Sequence, residues 1–399
     1  MDLVLLNLAA FLRSGSIGLT GVVLGLYLAR VGYSPLAIGL IIGAGLAGAA
    51  TSTIVVTLRA DLHGRRRTLA LLSLLTAAGG VGLAFTPRLP VLLLVAFFGM
   101  LNGMGTDRSA SFALEQAIIP GLVPDHRRTW TLARYNLVLD AAGAFGALAA
   151  ALPLSIGRLF ALPLLTAYRA LFFGYAAVNL LTALFYALLS RRVEVLSGPQ
   201  ALPGQAVTSA TKKVVGKITA LFSVDALGGG FLTDALVAYW FFRRFGATEG
   251  KLGVLFFVIR LLNAASHLVA AWLAKRIGLV NTMVFTHLPS SLLLICVPLA
   301  PNLQLAVAFL LLREALVEMD VPTRQSYVAA VVGPFERTFA SGVTNLARNL
   351  FWALGSSISG LFMRSVSFGA PLVIGGSLKI VYDLLLYRSF RRLRPPEER

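Results

Sequence analysis

Five arginines and nine acids lie inside long apolar runs of this chain, and they are the residues whose chemistry needs an explanation. The cations are Arg13, Arg108, Arg260, Arg313 and Arg324; the acids are Asp107, Glu115, Asp140, Asp225, Asp234, Glu314, Glu318, Asp320 and Asp383. A charge at the centre of a membrane span costs at least about 2.5–3.5 kcal/mol on insertion scales, so each implies a partner, a wet cavity or a ligand. Helical spacing sorts them. Arg313 precedes Asp320 by seven residues and Asp320 precedes Arg324 by four, which sets the three on one helix face. Glu314 and Glu318 share an adjacent face, and Pro322 is expected to loosen or kink that helix. Asp107 and Glu115, eight apart, share a broad face. Asp225 and Asp234, nine apart, point in nearly opposite directions, with Gly228-Gly229-Gly230 weakening the helix between them. Arg13, Ser16 and Thr20 form a polar stripe well inside the first apolar run.

A carboxylate moving between an apolar setting and an arginine gains and loses a proton readily. Asp107 beside Arg108, and Asp320 one turn before Arg324, have such partners within their own helices; Asp225 has none in its own run. Asp225 and Asp107 are therefore the leading proton carriers. The competing role for every one of these charges is a salt bridge that holds one conformation. His267, seven residues after Arg260, reads as a structural hydrogen bonder. Other chemistries lack their residues. The single cysteine, Cys296, excludes an intrachain disulfide and a multi-cysteine metal site. There is no His-Glu-x-x-His, no phosphate-binding Gly-x-x-x-x-Gly-Lys-(Ser/Thr) and no aspartate cluster in a loop. No metal, no cofactor and no enzymatic activity are expected.

The elements that must position these charges are transmembrane helices. Apolar residues make up 57% of the 399, charged ones 13%, and mean hydropathy is +0.81; soluble domains carry about twice that charge. A spanning helix needs about 20 apolar residues. Twelve such spans fall near 3–29, 36–58, 68–86, 91–117, 130–156, 169–189, 217–242, 251–273, 281–300, 303–330, 338–363 and 369–388. Barrel strands would be half as long and alternating, so the fold class is an all-α membrane protein. Met1-Asp2 runs straight into apolar sequence, so the first segment reads as a retained helix. Basic residues concentrate in alternate gaps: Arg59 and Arg65–Arg67, Arg127 and Arg128, Arg191 to Lys213, Lys275 and Arg276, Arg337, and the tail from Arg388. By the positive-inside rule both termini are cytoplasmic, in an inner cell membrane. The same placement assigns the net charge of +18 to topology and anionic headgroups of the bilayer, not to nucleic acid. Residues 191–215 carry Ser-Gly-Pro-Gln and Pro-Gly-Gln, a linker composition that divides the chain into six spans (1–190) and six spans (216–399).

The two sets echo one another. Leu132-Ala133-Arg134 opens the fifth span and Leu346-Ala347-Arg348 the eleventh, 214 positions later. Asp107-Arg108-Ser109 matches Thr323-Arg324-Gln325 at an offset of 216, and Arg128-Thr129 matches Arg337-Thr338. The gap after the second span reads Arg59-Ala60-Asp61-Leu62-His63-Gly64-Arg65-Arg66-Arg67. It resembles the major facilitator loop motif Gly-x-x-x-Asp-(Arg/Lys)-x-Gly-(Arg/Lys)-(Arg/Lys). Asp61, Gly64, Arg65 and Arg66 match, while Thr57 and Leu62 depart from it. A decayed copy holds Lys275, Arg276 and Gly278. Gly64 suits a tight turn, and Asp61 a helix N-terminus or an arginine partner.

The resemblance implies two pseudo-symmetric six-helix bundles around a cavity lined by spans 1, 4, 7 and 10. Its candidate substrate and ion ligands are then Arg13, Asp107, Arg108, Asp225, Arg313, Asp320 and Arg324. Asp61, Gly64, Arg65, Arg66, Arg134 and Arg348 become gating or loop residues. The family's Gly-Pro-x-x-Gly-Gly of drug antiporters is missing from span 5, which has Gly143-Ala144-Phe145-Gly146, and its span-4 arginine would fall at Gly99. The expected function is monomeric secondary transport of a small molecule by alternating access, coupled to protons, with efflux one direction of use. The alternative is a non-transporting receptor or a facilitative uniporter of the same fold. Gly21-x-x-x-Gly25, Gly39-x-x-x-Gly43 and Gly99-x-x-x-Gly103 read as close helix contacts.

Overall fold

A computed structural model describes residues 1–85, 88–107, 109–124, 127–194, 209–320, 324 and 337–390. Among these residues the regular elements are α1 (Asp2–Val31), α2 (Pro35–His63), α3 (Arg65–Phe85), α4 (Leu89–Phe98), α5 (Ala110–Ile118), α6 (Arg128–Leu148), α7 (Leu152–Leu159) and α8 (Leu164–Ala187). They continue with α9 (Ser209–Gly230), α10 (Asp234–Phe245), α11 (Glu249–Ile277), α12 (Leu279–Cys296), α13 (Leu303–Val317), α14 (Arg337–Ser365) and α15 (Ala370–Phe390), with short 3-10 turns between some of them. Among the described residues, eight stretches are long and apolar enough to cross a membrane, Asp2–Val31 and Ala370–Phe390 being the outermost, which makes this a multi-pass membrane protein.

Local sequence explains where helices start. Ser34 accepts the amide of Ala37 at 3.3 Å with Pro35 in the first turn of α2, and Asn302 accepts that of Leu305 at 2.9 Å to cap α13. Gly64 joins α2 to α3 with φ 93°, a conformation that costs other residues strain.

Among the described residues, several expected spans are not single α-helices; the ninth passes into a 3-10 turn at Val297–Leu299 and the tenth leaves the helix after Val317. The fourth was expected to run unbroken over 91–117. Instead α4 stops at Phe98, and the described residues between it and α5 form no helix. Gly99, Gly103 and Gly105 weaken the helix there, and Asn102 competes for its backbone. The Asn102 amide donates to the Thr106 carbonyl at 3.0 Å, and its side-chain oxygen accepts the Met104 N–H at 2.8 Å. The seventh span breaks at its glycine run: α9 ends on Gly230, and Thr233 caps α10 through the Leu236 amide at 3.4 Å. The fifth passes from α6 to α7 through a 3-10 turn, Ala149–Ala151, with Pro153 at the start of α7. Pro322 lies outside the described residues.

The chain forms two compact units. Unit 1 comprises Met1–Leu202 with Thr233–Phe257, and unit 2 comprises Pro203–Leu232 with Val258–Arg399. In unit 1, α1 packs on α6, α8 and α10, and α3 packs on α8. In unit 2, α9 packs on α14 and α15, and α12 on α13 and α15. Lipid tails give no hydrophobic drive between helices, so contact depends on close backbone approach. A Cβ on Gly18 would strike the backbone of Gly143, and one on Gly146 that of Gly15, along the α1–α6 seam. Gly230 against Gly355 does the same for α9 and α14. Gly21 lies on Gly105 and Gly25 on Ala235, so the Gly21-x-x-x-Gly25 expectation holds.

Candidate functional site

Unit 1 is built around Arg13 of α1, only 5% exposed. Its Nε donates to Asp107 Oδ2 at 2.7 Å, and its Nη2 to Glu115 Oε2 at 2.6 Å and the Tyr135 hydroxyl at 3.3 Å. Its Nη1 meets the Tyr186 hydroxyl. Tyr135 on α6 and Tyr186 on α8 donate in turn to Glu115 at 2.5 and 2.8 Å. The second oxygen of Asp107 accepts the Ser109 amide at 3.1 Å and hydroxyl at 2.7 Å. Glu115 is fully buried on α5. Asp107 lies in the unwound segment, so its direction follows the break and not the helical phase read from spacing. One guanidinium thus serves two carboxylates, with tyrosine hydroxyls closing the rest of the shell.

Unit 2 inverts this arrangement. Asp225 on α9 sits at the centre, and cations come to it. Lys379 Nζ of α15 donates to its Oδ1 at 2.7 Å, and Arg324 Nη1 to its Oδ2 at 3.3 Å. Arg348 of α14 stands 4.0 Å away and His287 Nε2 of α12 3.8 Å away. Arg324 also donates to Asp320 at 2.7 Å, and His287 Nδ1 lies 2.9 Å from Asp383. Phe222 lies under the Arg324 guanidinium, 5.3 Å from its carbon, and Trp352 lies against Arg348 at 4.8 Å. Asp225 was expected to lack a partner. Its own helix offers none, but three other helices and Arg324 do.

The remaining expected residues are more dispersed. Arg313 pairs with its neighbour Glu314, and α13 gives way to a turn before Asp320, so the three-residue face expected over 313–324 is interrupted. Arg134 is exposed. Arg108 and the side chains of Asp61 and His267 lie outside the described residues. In the loop motif, Arg66 donates to the Leu189 carbonyl at 3.0 Å. The carboxylate at the start of α3 is that of Glu194, which accepts the amides of Arg65 at 2.6 Å and Arg66 at 3.3 Å and abuts Gly64. A carboxylate there is favoured by the free N–H groups and the helix dipole.

Sequence reasoning missed several members. Lys379 and His287 were visible as polar residues inside apolar runs and were passed over. Tyr135 and Tyr186 carried no signal, since tyrosine is common in spans. Glu249, fully buried at the start of α11, was also missed. It accepts Arg30 Nε at 2.7 Å and the Tyr168 hydroxyl at 2.6 Å.

Comparison with known proteins places this architecture. The family model for the Major Facilitator Superfamily matches residues 6–312 and again 220–399. An uncharacterized membrane protein of Saccharomyces cerevisiae is 28% identical over 98% of this chain and 94% of its own length. Among solved structures, the xylose transporter XylE from E. coli in an inward-open conformation aligns with TM-score 0.75 at 13% identity, over 99% of this chain and 98% of that one. The nucleoside transporter NupG aligns with TM-score 0.74 at 14%, over 98% and 99%. A bacterial homologue of the human lysosomal transporter Spinster aligns with 0.76 at 14%, over 98% and 96%. At such identities the structures speak for the fold, and the family match extends the assignment to the sequence. The apolar helices, the loop motif at Gly64 and these matches agree: the chain belongs to the Major Facilitator Superfamily, a family of membrane transporters.

Proposed function

We propose that this protein is a proton-coupled secondary transporter that moves a small solute by alternating access, with the proton carried in the Arg13 cluster. The observation that carries the reading is the charge balance around Arg13: one permanent cation faces Asp107 and Glu115, both buried. An uncompensated carboxylate is costly in a low-dielectric interior, and a proton is the cheapest way to neutralise it. Tyr135 and Tyr186 contact both Arg13 and Glu115, so they are placed to exchange hydrogen bonds when the proton comes or goes. Asp225, ringed by cations, is less suited to that task than its bare helix implied. The named transporters of similar fold carry a sugar or a nucleoside, which is compatible with solute transport here. We place both termini and the 191–215 linker in the cytoplasm of an inner membrane on the basic gaps, with 1–190 and 216–399 as the two moving halves.

The test uses proteoliposomes with a solute found by thermal-shift screening. An inward proton gradient should drive accumulation, and a protonophore should abolish it. Glu115→Gln should keep counterflow and lose uphill transport. Accumulation indifferent to the protonophore would sink proton coupling.

A further inference from the structure

We infer that the cation ring around Asp225 in unit 2 binds the anionic group of the transported solute, a carboxylate or phosphate, in competition with Asp225. The inference rests on the transporter reading above and names the substrate class for it.

Three observations carry it. The first is convergence. Lys379 of α15, Arg324 and Arg348 of α14 all approach the one carboxylate of Asp225, at 2.7, 3.3 and 4.0 Å. Of the other acids of the cluster, Asp320 is held by Arg324 and Asp383 by His287, and Glu318 also acts on Arg324. The second is an orphaned donor. Tyr382 is 1% exposed, yet its hydroxyl has no hydrogen-bond partner among the described residues. It interacts electrostatically with Arg324, Asp225, Asp320 and Asp383, and its ring stands edge-on to His287 with centroids 6.0 Å apart. A buried hydroxyl without an acceptor is destabilising, so its retention calls for an explanation. An anion's oxygen in the ring supplies the missing acceptor. The third is access. The Arg348 side chain is 17% exposed while those of Lys379, Arg324 and His287 are 8% or less, so the ring opens at Arg348. There the indole of Trp352 lies against the guanidinium, a flat apolar wall that strengthens charge pairing beside it.

The contrast with unit 1 gives the ring its sense. There one central cation is shared by two acids; here one central acid draws in three cations, whose donors an anion would take over from Asp225. Charge-assisted and forked contacts from arginine and lysine are the usual means of holding carboxylate and phosphate groups.

The experiment titrates the purified full-length protein with acetate, succinate and inorganic phosphate, and with xylose and tetraethylammonium as controls, at constant ionic strength. Thermal unfolding and tryptophan fluorescence are read. At least one of the three anions should raise Tm saturably by several degrees. Lys379→Gln should weaken its apparent affinity about ten-fold or more. Tyr382→Phe decides between ligand and scaffold. Removing an orphaned hydroxyl leaves Tm of the empty protein unchanged or higher, whereas loss of a ligand donor weakens the anion by about three- to ten-fold. The proposal is overturned if none of the three anions stabilises the protein, if only xylose or tetraethylammonium does, or if the Tyr382→Phe protein binds the anion like wild type. Should Lys379→Gln fail to fold, Tyr382→Phe carries the decision. Anion binding here with accumulation insensitive to a protonophore would remove proton coupling and leave this site standing. Proton-driven accumulation of a neutral solute would do the reverse.

Discussion

At the scale of single residues, the Arg13 cluster makes an asymmetric prediction. Arg13→Gln leaves Asp107 and Glu115 buried together without a counter-charge, which should cost about 3–5 kcal/mol. Glu115→Gln keeps one of the two oxygens that accept from Tyr135 and Tyr186 and leaves Arg13 paired with Asp107, so it should cost less. Thermal unfolding in detergent compares the two; a less stable Glu115→Gln protein would refute the assignment of excess charge to the acids. The loop motif gives a second test. Glu194→Ala removes the carboxylate that caps α3, with an expected loss of about 1 kcal/mol. Asp61→Asn should impair transport with little effect on expression if Asp61 acts at a gate; transport at the wild-type rate would leave that loop with a topological role alone.

At the scale of elements, glycines decide which helices touch. Gly18 meets the Gly143 backbone so closely that a side chain has no room, whereas Gly174 on α8 has nothing within 4 Å of where a Cβ would stand. Gly18→Val should therefore lower Tm sharply or prevent folding, while Gly174→Ala should be neutral or slightly stabilising, since alanine is the better helix former. Equal stability of the two would refute the packed α1–α6 seam. The helix breaks belong to this scale as well. Gly228-Gly229-Gly230 was readable as a weak point because three successive glycines are conspicuous. The break after Phe98 was not, because its glycines are spaced through an otherwise apolar run and the competing hydrogen bonds come from Asn102.

At the scale of the whole molecule, topology follows from where the arginines and lysines fall between spans. A reporter fused after Arg399 and another inserted near Gln205 should both report cytoplasm, the side to which the positive-inside rule assigns the basic gaps. An extracytoplasmic signal from either would undo the arrangement of six spans, linker and six spans. By contact, residues 233–257 cluster with unit 1 although they follow the linker in sequence. Ala235 donates its amide to the Gly103 carbonyl at 3.0 Å, and Glu249 pairs with Arg30, so these residues are tied to unit 1 by named bonds.

What the sequence determined by itself was the class of molecule: apolar helices of membrane length, a loop motif with Gly64 at its turn, and charged residues too costly to be incidental. These are local or additive properties, since span length, propensity and insertion cost are sums over neighbouring residues. What only the tertiary structure decided was who pairs with whom. Asp225 looked isolated because its partners Arg324, Lys379, His287 and Arg348 are 62 to 154 residues away in the chain, and electrostatics depends on distance through space. Asp107 reaches Arg13 because span 4 unwinds, which periodicity over an assumed continuous helix does not reveal. The same holds for Tyr382, whose hydroxyl becomes informative only once its surroundings show that it lacks an acceptor.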